Sequence, residues 1–480
     1  LIIELIGISV CFQCKNIDGG LQDMGQKAKT PAINRIEGLL DGNSFVEIGS
    51  FITARNTDFN MTDEKKPGDG VITGYGTIGD ALVYVYSQDA TVLGGSMGEM
   101  HAKKIADLYS QAVKMGAPII GLLDCSGLRL QEATDALDAF GKLYLSQTLA
   151  SGVVPQIQAV FGNCGGGMAV SLSLADFTFM EKDKAKLFVS SPNAVPNNHI
   201  DKNDYSAAKF KAKETDLVDF VGTEEEILKG IRDLITILPS NNEDDLSYDE
   251  CLDDLNRSVD IENYNGDTSL VLKHISDNNF YLEVKKDFAP EMVTSFIRLN
   301  GNTVGVVANR SKIYSEDLSI EAEFDKKITS KGAGKAARFV EFCDSFNIPV
   351  LTLVDIVGFE ASECAEKHLA KAAAKLTYAY ANATVPKVSV ILSEAYGSAY
   401  ITMNSKSIGA DIVYAWDNAK IGMMSSDMAA KIIYADENGY FSFIPIHKGY
   451  WGFAALGAGG EMKHNGKELS QDAVLWIEAK

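Results

Sequence analysis

Two stretches of this chain, "GAPIIGLLDCSG" (116–127) and "NIPVLTLVDIVG" (347–358), decide how it is read. Each places a proline six residues before an aspartate, Pro118 before Asp124 and Pro349 before Asp355, and the two sets lie 231 residues apart. Working forward, "VVPQIQAVFGNCGGGMAV" (153–170) and "TVPKVSVILSEAYGSAYI" (384–401) keep that separation, with Pro155 matching Pro386 and Gly166 matching Gly397. Working backward, Ile105, Leu108, Tyr109 and Ala112 match Ala336, Phe339, Val340 and Cys343. Both sets have the i, i+3, i+4, i+7 spacing of one buried helical face. Beyond the glycines, "LADFTFM" from Leu174 and "GADIVYAW" from Gly409 correspond with four residues gained. An ungapped register of this length predicts a duplicated domain.

Each copy reads as amphipathic helix, apolar strand, loop, helix, second strand, glycine turn, helix. The strands are near-continuous hydrophobic runs, the mark of a sheet covered on both faces, so the expected class is α/β. The acidic run "LPSNNEDDLSYDECLDDLNRSVDIENYNGD" (238–267) separates the copies. The expected organisation is an N-terminal extension at 1–30, a first domain at 31–240, an acidic linker at 241–266 and a second domain at 267–480. Met24 is the expected natural start, with residues 1–23 outside the fold. The end after about residue 437, "NGYFSFIPIHKGYWGFAALGAGG", is rich in glycine and aromatics and does not continue the pattern.

The formal net charge is −21 and the pI about 4.8, which disfavours nucleic acid and anionic membrane as partners. The apolar start "LIIELIGISVCF" is shorter than the roughly twenty residues that span a bilayer. Seven cysteines (11, 14, 125, 164, 251, 343, 364) form no framework and read as reduced and intracellular. Cys11 and Cys14 make one CxxC without a second ligand pair, so no metal is expected.

The two glycine turns carry the functional expectation. Each ends a strand and opens a helix, where backbone N–H groups have no internal partner. Glycine leaves those donors unshielded, and an oxygen gaining charge can approach them, as in an oxyanion hole. The donors expected are Gly166 and Gly167 in the first copy and Ser398 and Ala399, after Gly397, in the second. Close helix–strand packing also requires glycine, so one such turn alone is ambiguous; two at matching positions favour function. The histidines (101, 199, 274, 368, 447, 464) stand in no triad-like context, HExxH and GxxxxGK[ST] are absent, and the single GxSxG match, "GGSMG" (94–98), does not follow an apolar strand as a nucleophile elbow does. His101 reads as a capping or packing residue. Two anion sites without a side-chain base suggest enolate chemistry in which the proton moves on a substrate or cofactor.

The segments "RIEGLLDGNSFVEIG", "GDGVITGYG", "YSQDATVLGGSMGEMHAKKI", "GAPIIGLLDCSGLRLQEA", "ASGVVPQIQAVFGNCGGG" and "ATVPKVSVILSEAYGSAY" are similar to those of biotin-dependent acyl-CoA carboxyltransferase subunits and of methylmalonyl-CoA decarboxylase α subunits. The similarity spans roughly Ala32 to Asp436. It implies two tandem crotonase-like domains (Clp peptidase/crotonase superfamily), the first binding the acyl-CoA, the second receiving biotin from a separate carrier protein. It further implies an active site shared between subunits of a cytoplasmic homohexamer, with a biotin carboxylase or membrane decarboxylase subunits as partners. The first hole maps onto Gly166 and Gly167, with Gly127 and Leu128 as further donors, and the second onto Ser398 and Ala399. Gly165 and Gly397 flank them. Arg129 is expected to meet a coenzyme A phosphate or to pair with Glu132, and Ile401 to bound the acyl pocket or to serve as core. Lys103 and Lys104 are expected on a solvated helix face. Ser398 stands where the family has glycine, and "DCSGLR" replaces "DSGGAR"; both lean toward the decarboxylase-like members. The resemblance leaves carboxylation and decarboxylation open. A non-catalytic assembly subunit would lose a hole, and a biotin-independent hydratase would want acids beside the first hole, where none precedes Asp176.

Overall fold

The computed structural model describes residues 30–55, 68–198, 202–245, 247–251, 253–254, 266–315, 317, 319–425 and 428–429, with two-residue strands at 463–464 and 467–468. Cys11, Cys14, Met24, part of the acidic linker and nearly all of the segment after residue 437 lie outside the described residues.

The first half runs α1 (Pro31–Leu39), β1 (Val46–Ile48), β2 (Val71–Ile78), β3 (Ala81–Gln88), α2 (Glu99–Met115), β4 (Ile119–Cys125), α3 (Ala133–Ala150), β5 (Gln156–Gly165), α4 (Gly167–Ser173), β6 (Phe177–Glu181), β7 (Lys186–Phe188), α5 (Ala208–Glu214), β8 (Phe220–Gly222) and α6 (Glu224–Ile237). The second half runs α7 (Thr268–Ile275), β9 (Leu282–Val284), β10 (Met292–Leu299), β11 (Asn302–Asn309), β12 (Lys312–Tyr314), β13 (Ile320–Glu323), β14 (Lys327–Ile328), α8 (Ser330–Ser345), β15 (Val350–Ile356), β16 (Gly358–Phe359), α9 (Glu363–Asn382), β17 (Lys387–Tyr396), α10 (Gly397–Thr402), β18 (Ile412–Ala415) and β19 (Lys420–Gly422).

The halves build two sheets of matching order, β1-β2-β3-β4-β5-β6-β8 with β7 beside β5, and β9-β10-β11-β15-β17-β18 with β19 beside β17. In each, an antiparallel hairpin leads into parallel strands. The repeat extends to register. Ile119 pairs with Gln156 as Val350 pairs with Lys387, and the irregularity that brings Cys125 beside Cys164 recurs where Ile356 meets Ala395. Helix ends obey it too. Gly116 at the end of α2 and Asn347 just after α8 are both left-handed, at φ 61° and 57°, and glycine and asparagine are the residues that adopt that conformation most readily.

The helix faces read from the spacing are buried: Ile105, Leu108, Tyr109 and Ala112 on α2, and Ala336, Phe339, Val340 and Cys343 on α8. Truncating one such leucine to alanine costs about 2–5 kcal/mol. Lys104 corrects an expectation. It is buried, and its Nζ donates to the Gly68 and Val71 carbonyl oxygens at 3.0 and 2.5 Å. Lys335, its counterpart on α8, is buried likewise and donates to the Lys285 and Phe288 oxygens at 2.8 and 2.9 Å. Carbonyl partners are what make a buried ammonium tolerable. Lys103 is exposed, as expected.

The halves share a seam. Phe177 packs edge-on against Phe296 and Phe342, Arg338 donates to the Ala175 oxygen at 2.7 Å, and Lys285 pairs with Asp216 at 2.5 Å. Phe179 of β6 stacks on Phe220 of β8 and lies against Gly230 of α6, whereas Ile412 and Tyr414, the counterparts of Phe177 and Phe179, are 46% and 58% exposed.

Candidate active site

At the end of β4 the chain turns through Gly127, at φ +117°, and runs on beside Met97. The Met97 N–H donates to the Gly127 oxygen and the Arg129 N–H to the Met97 oxygen, both at 2.9 Å. The Gly127 N–H points to the Cys125 sulfur at 3.4 Å. Leu128 lies between these bonds with its side chain 37% exposed. Its N–H has no acceptor among the described residues.

The end of β5 abuts this turn. A Cβ on Gly165 would lie 2.8 Å from the Phe188 ring and 3.3 Å from the Ser126 oxygen, so only glycine fits. Gly166 has φ 59° and ψ −122°, a conformation that side chains disfavour. Its N–H donates to the Phe188 oxygen at 2.9 Å. This corrects the expectation for Gly166: it shapes the turn, and its own donor is occupied. Gly167 opens α4, and the first N–H of a helix has no intrahelical acceptor. A Cβ on Gly167 would lie 2.8 Å from both the Phe140 ring and the Tyr144 hydroxyl, and that hydroxyl donates to the Gly167 oxygen at 2.7 Å. The donors of the first turn left without an acceptor among the described residues are therefore the N–H groups of Leu128, Gly167 and Met168, of which Leu128 and Gly167 flank the turn itself. With only seven residues in α4 and six in α10, the N–H groups themselves, more than any macrodipole, make these turns attractive to an anion.

Behind Leu128, Arg129 is fully buried. Its guanidinium donates to Asp69 at 2.6 Å, Glu132 at 2.8 Å and the Ser96 oxygen at 2.7 Å. The pairing with Glu132 is thus realised, and the expected reach to a coenzyme A phosphate is corrected: the group is enclosed and committed to internal partners. His101 is also enclosed. Its backbone N–H donates to Asp69 at 3.0 Å and its ring lies 3.2 Å from the Gln88 amide. Burial, with Arg129 and Lys104 nearby, pushes its pKa down to about 3, so the ring stays neutral.

The second turn repeats the first. The Val357 N–H donates to the Lys326 oxygen at 2.8 Å and the Glu360 N–H to the Ile328 oxygen at 2.9 Å, which places Phe359 where Leu128 stands. Gly397 has φ 62°, and a Cβ there would come within 3.0 Å of the Met423 oxygen. Ser398 is exposed, Ala399 is buried against the core, and Ile401 is 37% exposed. Beside this turn Lys326 bridges Asp355 at 2.9 Å and Glu394 at 3.3 Å. Burial opposes its charge, but the two carboxylates outweigh that and raise its pKa.

A cavity of about 430 Å³ lies at the seam between halves, lined by Asp176, Lys285, Lys335 and Arg338 among others. No residue of either glycine turn lines it. The sequence reading did not single out Tyr144, Phe188 or Phe359. Phe359 was reachable by adding the repeat offset to Leu128; nothing in the sequence marks the other two. Among the described residues no helix is long and apolar enough to cross a membrane.

A family model described as carboxyl transferase domain matches residues 24–440. The chain is 41% identical over 403 residues to a propionyl-CoA carboxylase beta chain of Roseobacter denitrificans, covering 81% of this chain and 77% of the relative. It is 39% identical over 403 residues to a methylmalonyl-CoA decarboxylase subunit alpha of Veillonella parvula, with the same coverage. A crystal structure of transcarboxylase 12S, a hexamer assembly with methylmalonyl-coenzyme A and methylmalonic acid bound, superposes with a TM-score of 0.77 at 37% identity, covering 84% of this chain and 79% of that one.

Proposed function

The chain belongs to the carboxyl transferase domain family and is a carboxyltransferase of crotonase-like α/β fold; on that premise we propose that it moves a carboxyl group between biotin and a small acyl-CoA of the propionyl/methylmalonyl class. The observation that carries the reading is the first turn, where the loop bearing Leu128 abuts the one that leads into Gly167 and neither N–H has an acceptor among the described residues.

In this reading the half at 31–240 holds the acyl-CoA. Leu128 and Gly167 donate to the thioester oxygen as negative charge grows there while the α-carbon loses its proton. One such donor is worth about a hundredfold to a thousandfold in rate. The half at 267–480 receives biotin from a separate carrier, with the N–H groups of Ser398 and Ala399 turned to its ureido oxygen. An exposed backbone donor beside a glycine at φ 62° suits that oxygen. When bound, biotin supplies the carboxyl-carrying nitrogen. With that nitrogen as the acceptor of the α-proton once its carboxyl group has left, no side-chain base is called for; the protein orients, and it stabilises charge through its backbone. Ile401, partly exposed three residues beyond Ser398, bounds the acyl pocket. The absence of the glycine turns from the seam cavity fits an active site completed by a second subunit, with the protein working in the cytoplasm as a homohexamer.

Relatives of both directions are similar to this chain, so decarboxylation within a membrane complex is the second reading. The test is transfer of carboxyl from methylmalonyl-CoA to free biotin, with malonyl-CoA as comparison. Transfer from the former in preference supports the reading; transfer from neither overturns it.

A further inference from the structure

We propose that Arg129 is a positioning residue that fixes the Leu128 donor from behind; the inference rests on the reading of the first turn given above. Arg129 directly follows Leu128 in sequence, and its guanidinium joins segments that are distant in the chain. One Nη reaches Asp69 in the loop before β2 at 2.6 Å and Glu132 in the turn before α3 at 2.8 Å. The other reaches the Ser96 oxygen at 2.7 Å, and Nε lies 3.4 Å from the Ser96 hydroxyl. The side chains of Arg129, Asp69 and Glu132 are all 0% exposed.

Both carboxylates are held in turn by the start of α2. Glu132 accepts the Glu99 N–H at 2.6 Å, and Asp69 accepts the His101 N–H at 3.0 Å. Gly98, the residue that caps α2, has no side chain to do this, so the two acids serve as its caps. The cluster holds one cation against two anions, and these helix-start donors offset the surplus negative charge. Met97 lies inside the same frame, bonded to Gly127 on one side and Arg129 on the other. The peptide between Gly127 and Leu128 is therefore bracketed by bonds whose anchor is the guanidinium. The planar fork meets its partners through donors fixed in one plane; a lysine also has three donors, as Lys335 shows, but as a point charge on a flexible stem it cannot reproduce that geometry.

The second half argues that this clamp is not a requirement of the fold. There the same turn forms beside β14, yet Glu360 stands at the Arg129 position. Helix α8 is capped by its own Thr329, whose hydroxyl accepts the Gly332 N–H at 2.9 Å. The backbone path is kept there with Glu360 in place of the arginine and with Lys326, paired to Asp355 and Glu394, beside the turn, so the arginine itself serves something particular to the first turn, namely the aim of its donor.

The experiment uses the full chain and carboxyl transfer from methylmalonyl-CoA to free biotin. The variants are Glu132→Gln and Arg129→Lys. Glu132→Gln converts the cluster to a one-to-one ion pair at nearly equal volume, but removes one of the two acceptor oxygens that meet Arg129 and the Glu99 N–H. The melting temperature of each variant is read beside its rate, so that kcat is taken per folded molecule. Both are expected to lower kcat about tenfold to a hundredfold, a partial loss of one donor, with KM for the acyl-CoA changed less than threefold. A scaffold role alone would lower the melting temperature and leave kcat per folded molecule untouched. A third variant carries the α-hydroxy analogue of leucine at position 128, which replaces the N–H by an ester oxygen. If the ester lowers kcat while Glu132→Gln and Arg129→Lys do not, the inference is overturned and the reading of the turn stands. If the ester leaves kcat unchanged, the reading of the turn is overturned and the inference with it.

Discussion

Replacing Gly166 by alanine separates backbone aim from packing, because the new Cβ would meet no heavy atom within 4 Å. Any effect must therefore come from conformation. Gly166 sits at φ 59° and ψ −122°, a region natural to glycine and strained for a residue with a Cβ, although Ala133 adopts it at φ 47° and ψ −121°. Holding alanine there costs about 1–3 kcal/mol. The chain either bears that cost as lost stability or relieves it by rotating the peptide between Gly166 and Gly167. That rotation turns the Gly167 N–H away from where an anion would sit, while the Gly166 N–H, which belongs to the preceding peptide, keeps its bond to the Phe188 oxygen. Losing that donor lowers kcat by about a hundredfold or more. Gly141→Ala is the matched control: it too has no neighbour within 4 Å, but it lies exposed within α3. There alanine is expected to stabilise by about 0.5–1 kcal/mol and to leave transfer unchanged. The assay is the initial rate of transfer from methylmalonyl-CoA to biotin at saturation, beside calorimetric melting. A Gly166→Ala protein with the parent's kcat and melting temperature would refute the reasoning, since strain would have had no outlet.

Three further expectations are open to measurement. Ser398→Ala should keep kcat within about threefold, because only the N–H is used, whereas Ser398→Pro, tolerated in a first helical turn, should lower transfer about a hundredfold while melting nearly unchanged; equal rates for the two would count against the second turn. Tyr144→Phe removes the hydroxyl that holds the Gly167 oxygen, and should cost about 0.5–1.5 kcal/mol of stability with a severalfold drop in kcat, read by urea titration and steady-state rates. His101 keeps a pKa of about 3 when folded against 6.5 when free, so between those values the unfolded chain binds a proton that the folded chain refuses. That contribution to stability falls as pH drops from about 6.5 toward 3, and His101→Gln should flatten the fall when denaturant midpoints at pH 7 and pH 4.5 are compared.

The repeat was legible in detail because proline, aspartate and glycine punctuate strand ends. Their spacing anticipated the shared succession of helices and strands and the buried faces of α2 and α8, and the same offset recurs even in the bulge at Cys125 and Ile356. The identity of the donors was not legible. Sequence shows that Gly166 is needed, but its N–H is engaged by Phe188, 22 residues on, and only the folded chain brings that carbonyl there. Lys104 was assigned to solvent because charge outweighed position. It lies one turn before Leu108 on the buried side of α2, and its match with Lys335 already showed that both halves keep a lysine there. Arg129 looked available because its partner Asp69 lies 60 residues away; a local reading sees Glu132 alone.

Tandem fusion has an outcome that the geometry makes concrete. Were the two turns supplied by identical short chains, any replacement in one would appear in the other. Here Leu128, Arg129 and Gly167 occupy the places that Phe359, Glu360 and Ser398 fill across the repeat, so each turn has been adjusted without disturbing its twin. Selection can specialise one for a thioester and the other for a cyclic urea, an independence closed to a symmetric ancestor.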